Sequence, residues 1–313
     1  MKEESTARKL AGRLLCLLIK LNYWLPKNIS YGLSLISNKI SFYFKTKLSR
    51  TVNENIDLCF PELNKKQKTD LLNQYLKQNA LMSKETAIAW LGSKTEINQL
   101  FHKVSGQSIL DQLNQRACPV VIAVPHIGNW EFFWHWLQIN YPAISMYSPA
   151  KFKALDELML TARKKFGGQP YATDKKGLSH ILKGLKKGSI MMILPDQAPY
   201  IGAGEYAPFF NHPAYTMTLL HKLISKTQAQ LLFATCLRNQ SGQFDISITK
   251  PKSKVLSSDL ALFNRELNAQ LEQIIRQTPE QYLWNYKRFK RQPMGKELYS
   301  FEIKRRERHS KNT

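Results

Sequence analysis

Residues 120–124 read Val-Val-Ile-Ala-Val, and no other stretch narrows the possible folds as much. An unbroken apolar run rich in β-branched side chains offers no polar face to water. It suits a short strand buried on both faces, as in a parallel sheet. The run stops at Pro125-His126. Gly128 and Asn129 then supply a turn and a helix N-cap ahead of the apolar Trp130-Glu131-Phe132-Phe133. His126 therefore stands in the mouth of a strand-to-helix turn, where α/β folds hold their ligands. Glu131 lies five residues on, a step that would part the two side chains on one continuous helix. With His126 in the loop and Glu131 in the first helical turn, the two are expected to meet. An imidazole held by a carboxylate is a general base suited to a hydroxyl. On these residues alone a hydrogen-bonded structural histidine is an equally open reading.

Past residue 100 short apolar runs alternate with amphipathic stretches. Strands are predicted at 119–124, 143–148, 169–173, 189–194, 229–238 and 244–250. Helices are predicted at 129–140, 154–166, 176–187, 213–226 and 258–277. Such alternation implies βαβ units, a mostly parallel central sheet and helices on both faces. The last two strands flank Ser241-Gly242 and read as an antiparallel hairpin. Residues 1–100 carry helical patterning. The expected organisation is a membrane-associating helical segment over 1–45, one α/β domain over 46–293 and a basic tail over 294–313.

Forty-six Lys and Arg oppose 23 Asp and Glu in 313 residues, a formal charge of +23. So much basic charge calls for an anionic partner: nucleic acid, an anionic membrane or a phosphorylated substrate. A hydrophobic content of 43% excludes a disordered chain. Cys16, Cys59, Cys118 and Cys236 are scattered without zinc spacing, so no metal site is expected and the thiols read as reduced. Only six uncharged residues separate Arg13 from Lys20, well short of the ~20 that a clean spanning helix needs. On a helix, Lys9, Arg13 and Lys20 form a narrow stripe beside a broad face of Leu10, Leu14, Leu15, Leu17, Leu18, Leu21 and Trp24. That pattern suits a helix at a membrane interface. It equally suits a helix packed on its own domain, and snorkelling cations leave steep insertion open.

Three further residues carry chemistry. Arg163 sits in a helix that ends at Gly167, and reads either as a solvated cation beside Lys164 and Lys165 or as a clamp for phosphate or a thioester. Asp196 follows an apolar strand at its carboxyl end, either capping a turn or orienting an active-site cation or substrate. Gln197 can donate to a developing oxyanion. A phosphate loop and a Gly-x-Ser-x-Gly elbow are both absent.

The His126–Glu131 stretch, His-Ile-Gly-Asn-Trp-Glu, resembles the His-x4-Asp/Glu motif of lysophospholipid and lipid A acyltransferases. Its Asn-Trp-Glu ending resembles the lipid A biosynthesis (lauroyl/myristoyl) branch. Asn55-Ile56-Asp57-Leu58-Cys59-Phe60-Pro61-Glu62 is similar to that branch's Asn-x3-Cys-Phe-Pro-Glu block. Arg163-Lys164-Lys165-Phe166-Gly167, Leu194-Pro195-Asp196-Gln197 with Pro208-Phe209-Phe210, and Trp284-Asn285-Tyr286-Lys287-Arg288-Phe289-Lys290 resemble later blocks in the same order. Ala198 departs from the family, which often carries a second acidic residue there.

The resemblance implies transfer of a fatty acyl chain from an acyl carrier protein phosphopantetheine thioester. The acceptor would be a hydroxyl of a lipid A precursor, a phosphorylated Kdo-bearing glucosamine disaccharide. His126 would take the hydroxyl proton and Glu131 would fix the imidazole. Gly128 and Asn129 amides would meet the oxyanion, with Arg163, Asp196 and Gln197 toward the substrates. No cofactor beyond the donor's own arm is expected. Acyl carrier protein, the lipid A precursor and anionic membrane lipids are the expected partners, without nucleic acid. The expected location is the cytoplasmic face of the inner membrane. Three alternatives are another lysophospholipid or glycolipid acceptor, a non-catalytic basic membrane protein and a nucleic-acid-binding protein; no zinc finger or aromatic RNA-binding motif supports the last.

Overall fold

A computed structural model describes residues 4–303. The chain opens with five helices: α1 (Thr6–Trp24), α2 (Lys27–Tyr43), α3 (Lys47–Cys59), α4 (Lys65–Leu91) and α5 (Lys94–Gln99). Then follow β1 (Phe101–Ser105), α6 (Gln107–Gln115), β2 (Val120–Ala123), α7 (Trp130–Asn140) and β3 (Ala143–Tyr147). Next come α8 (Lys153–Lys164), β4 (Gln169–Ala172), α9 (Lys175–Lys186), β5 (Ile190–Ile193), β6 (Gly204–Phe209) and β7 (His212–Met217). The chain continues with α10 (Leu219–Thr227), β8 (Gln230–Arg238), β9 (Phe244–Thr249) and α11 (Leu260–Gln277).

Seven strands form one sheet in the order β1-β9-β8-β2-β5-β3-β4, parallel except for the antiparallel β8–β9 hairpin. Every strand predicted from the apolar runs is present. Successive side chains along a strand point to opposite faces, and the two cores follow that period. Val121, Ala123, Met191 and Ile193 pack on one face with α9, α10 and α11. Val120, Ile122, Ile190 and Met192 pack on the other with Phe132, Phe133 and Leu137 of α7. This double burial is why β2 and β5 are apolar without a break.

Two parts depart from the expectation. Residues 213–226 are not one helix: His212–Met217 is β7, paired antiparallel with β6, and α10 starts only at Leu219. Phe210 and Asn211 link that hairpin with φ of 48° and 60°, the left-handed conformation that a two-residue type I′ turn requires. β1 is a further strand without an apolar run, since its Phe-His-Lys-Val-Ser is a half-polar edge strand.

α1 buries Gly12, whose position leaves no room for a side chain beside Phe152. Its opposite face exposes Leu10, Leu14, Leu17, Leu18, Leu21 and Trp24, and α2 exposes Ile29, Leu33, Ile36 and Ile40 at helical spacing. Among the described residues no helix is long and apolar enough to cross a membrane. Past residue 293 the chain returns to the core at buried Tyr299, whose hydroxyl donates to Asn55 Oδ1 at 2.8 Å. The rest of the expected basic tail, 304–313, lies outside the described residues.

Candidate active site

β2 and β5 are parallel neighbours in the register Val120↔Ile190 through Ala123↔Ile193. Three residues beyond the last pair stand His126 on one strand and Asp196 on the other. Equal steps from a shared register bring them together at the carboxyl ends of adjacent strands. His126 Nδ1 lies 2.7 Å from Asp196 Oδ1, and the His126 backbone N–H donates to Oδ2 at 2.8 Å. Asp196 is 1% exposed. Burial pushes its carboxyl up, but the charge and both hydrogen bonds of His126 win and hold it below the usual range. A carboxylate here fixes the tautomer with the proton on Nδ1 and leaves the Nε2 lone pair free to accept. Gln197 Nε2 lies 3.1 Å from that Nε2, so the amide donates to the lone pair.

The expected contact between His126 and Glu131 is not the one formed. Glu131 sits in the first turn of α7 as predicted, but its carboxylate is taken by Arg163, whose Nε donates to Oε2 at 3.2 Å and whose Nη2 donates to Oε1. Burial raises the Glu131 carboxyl, while the Arg163 charge and hydrogen bonds, helped by His135 and His126, hold it below its ordinary value. Asp196 is the group that holds the imidazole. Arg163 is therefore no solvated cation: its side chain is 21% exposed and already charge-neutralised. Nor is it a free phosphate clamp.

The amides assigned to an oxyanion are also committed elsewhere. Gly128 N–H donates to Gln281 O at 3.0 Å, and Asn129 N–H to Cys236 O at 2.8 Å. Both residues are buried. Gly128 has φ +59°, and an added Cβ would fall 2.1 Å from Cys236 O, so only glycine fits the turn. Asn129 is the helix cap foreseen from sequence: Oδ1 accepts from Phe132 N–H at 3.0 Å. Its Nδ2 donates to Glu85 at 3.3 Å, and Glu85 is itself paired with buried Arg238. Neither residue lines the cavity that His126 faces.

His126, Glu131, Arg163 and Gln197 line one cavity of about 570 Å³. Its walls are largely apolar, with Trp130, Trp134, Met146, Met159, Met192 and Met217, and Lys290 and Arg291 also line it. The Trp130 ring meets the imidazole edge-on at 4.9 Å. The segment bearing the two cations is tied to the base, since Leu283 N–H donates to His126 O at 3.0 Å. In the sequence Tyr286 and Lys290 stand out only within the Trp284–Lys290 block, and Arg291 carries no signal of its own. Among the described residues no group of three or more His, Cys, Asp or Glu is arranged to hold a metal. The arrangement can take a proton from a hydroxyl in a mostly apolar cavity.

A family model described as bacterial lipid A biosynthesis acyltransferase matches residues 14–291, a span that holds every residue of this site. A lipid A biosynthesis lauroyltransferase of Escherichia coli (strain K12) is 24% identical over 273 residues, covering 87% of this chain and 88% of that protein. A lipid A biosynthesis acyltransferase of Haemophilus influenzae is 26% identical over 242 residues, 76% of each chain. A lipid A biosynthesis palmitoleoyltransferase of Escherichia coli (strain K12) is 24% identical over 255 residues, 80% of this chain and 82% of that one.

Proposed function

The chain belongs to the bacterial lipid A biosynthesis acyltransferase family, and from that premise we propose that it moves a fatty acyl chain from an acyl carrier protein thioester to a hydroxyl of a lipid A precursor. The observation that carries the reading is the His126–Asp196 couple, held at 2.7 Å on the wall of an apolar cavity. The acceptor hydroxyl displaces Gln197 from Nε2 and gives its proton to that nitrogen. Its oxygen attacks the thioester carbonyl carbon. Collapse of the tetrahedral intermediate breaks the carbon–sulfur bond, and the thiolate takes the proton back from the imidazolium. Asp196 stabilises that imidazolium. The displaced Gln197 amide becomes a donor for the oxyanion. The Glu131–Arg163 pair acts through position, fixing the first turn of α7 beside the cavity. Flexible methionine walls suit an acyl chain.

A lipid acceptor places the protein at a bilayer. The exposed apolar stripes of α1 and α2 provide the surface to insert there, with Arg13 and Lys20 beside them toward anionic headgroups. A carrier-protein donor restricts the site to the cytoplasmic face of the inner membrane. Two measurements test this. Purified protein is given acyl carrier protein and coenzyme A thioesters with a lipid A precursor, and the product is weighed. Acylated precursor from the carrier-protein donor is expected; no mass gain from either donor overturns the assignment. Cells are then fractionated at low and high salt. Retention in the membrane until detergent is added is expected, and a protein soluble at low salt refutes bilayer attachment.

A further inference from the structure

We propose that Lys290 and Arg291 form an anion subsite on the wall of the His126 cavity, and that it takes a phosphate group of one of the two reaction partners. The proposal rests on the acyl-transfer reading above. Both side chains line the same cavity as the imidazole. The third cation there, Arg163, is neutralised by Glu131. Lys290 and Arg291 pair with no carboxylate among the described residues. They therefore supply the cavity's uncompensated positive charge.

Arg291 adds a more pointed observation. Its Nη1 is buried and has no hydrogen-bond partner among the described residues. A desolvated cationic donor without an acceptor is costly. An anion in the cavity that Arg291 lines offsets the charge of this guanidinium. Arg presents a planar fork to phosphate oxygens and Lys a point charge, so the two complement each other.

The cations are also held in place. Lys290 Nζ lies 4.8 Å from the centre of the Tyr286 ring, and Arg291 Cζ 5.5 Å from that of Tyr215. Both rings are pinned. Tyr286 Oη accepts from Ala198 N–H at 3.0 Å, next to Gln197, and Asn55 Nδ2 holds its backbone carbonyl at 2.8 Å. Tyr215 Oη accepts from Gly202 N–H at 2.9 Å and Gly204 N–H at 3.2 Å. A phosphate seated on these cations is thus registered against the base. Two sources share this chemistry: a sugar phosphate on the lipid acceptor, or the phosphodiester of the donor's pantetheine arm.

The test measures kcat/KM for wild type, Lys290→Gln, Arg291→Gln and the double variant, with folding checked by circular dichroism. One arm uses the acceptor with and without its phosphates. The other replaces the carrier-protein thioester with an N-acetylcysteamine thioester, which carries none. On one arm, losing the phosphate should lower the wild type roughly ten- to a hundredfold, while the double variant is already low and barely responds. The arm that shows this coupling identifies the source. An equal factor in wild type and double variant on both arms overturns the subsite. Broadening of the ³¹P signal of inorganic phosphate gives a readout independent of turnover. Broadening lost in the double variant supports the subsite, and equal broadening refutes it. No transfer by wild type with any substrate pair refutes the reaction instead.

Discussion

Replacing Glu131 should cost stability as well as turnover, because of where its partner lies. The Glu131 side chain is 9% exposed and that of Arg163 is 21% exposed. An exposed ion pair contributes about 0–1 kcal/mol. Removing one partner of a fully buried pair costs about 3–5 kcal/mol, since the other charge is stranded. Arg163 keeps some water contact, which places Glu131→Ala just below that range, at about 2–3 kcal/mol. Arg163→Met should cost somewhat less, because burial then drives the Glu131 carboxyl to take up a proton. The double variant Glu131→Leu/Arg163→Met strands no charge and should be less destabilised than the sum of the single changes. Urea unfolding of detergent-purified protein, followed by tryptophan fluorescence, measures all three. Single losses below about 1 kcal/mol, or strict additivity in the double variant, would refute the buried-pair account and return Arg163 to a solvated role.

Asp196→Asn should leave the fold intact and lower turnover by about 10⁴-fold, because an amide can impose the wrong imidazole tautomer; steady-state acyl transfer beside a melting curve checks both halves. His135 is fully buried, with Nδ1 2.8 Å from Gln138 Nε2, and burial aided by the charge of Lys165 pushes its pKa down to about 4 from 6.5. The unfolded chain accepts a proton that the folded protein resists, so this stabilisation is complete above about pH 6.5 and declines by roughly 3 kcal/mol as pH falls towards 4. Stability measured from pH 4 to 7 should show that slope in wild type and a shallower one in His135→Leu. Asn55→Leu removes the bonds to Trp284 O at 2.6 Å and Tyr286 O at 2.8 Å, and should cost roughly 2–4 kcal/mol in urea unfolding.

β2 and β5 were legible because double burial leaves an unmistakable apolar run, and His126 because a Pro-His break ends one of them. Asp196 stood out as a strand-end carboxylate, but not as the partner of His126. Glu131 is near in sequence, whereas Asp196 is 70 residues away and becomes a neighbour only once β2 and β5 are known to be adjacent and in register. Strand order is set by how the helices cross the sheet, and local pattern does not encode it. The β6–β7 hairpin hid for another reason. Its turn uses Phe210-Asn211 in place of an Asn-Gly signal, and β7 runs almost directly into α10, so the two read as one periodic stretch. The role of Arg163 followed from its burial beside Glu131, which flanking lysines made hard to foresee. The Asn129 cap was readable because capping chemistry is local.

Acyl transfer by this protein turns on His126 as the base. Single-turnover transfer from an acyl carrier protein thioester to a lipid A precursor, read by product mass for wild type and His126→Ala, tests this most directly. The wild type should form the acylated product, and the variant should be about 10²–10⁴-fold slower with an unchanged unfolding curve. A folded His126→Ala protein that transfers at the wild-type rate would contradict it.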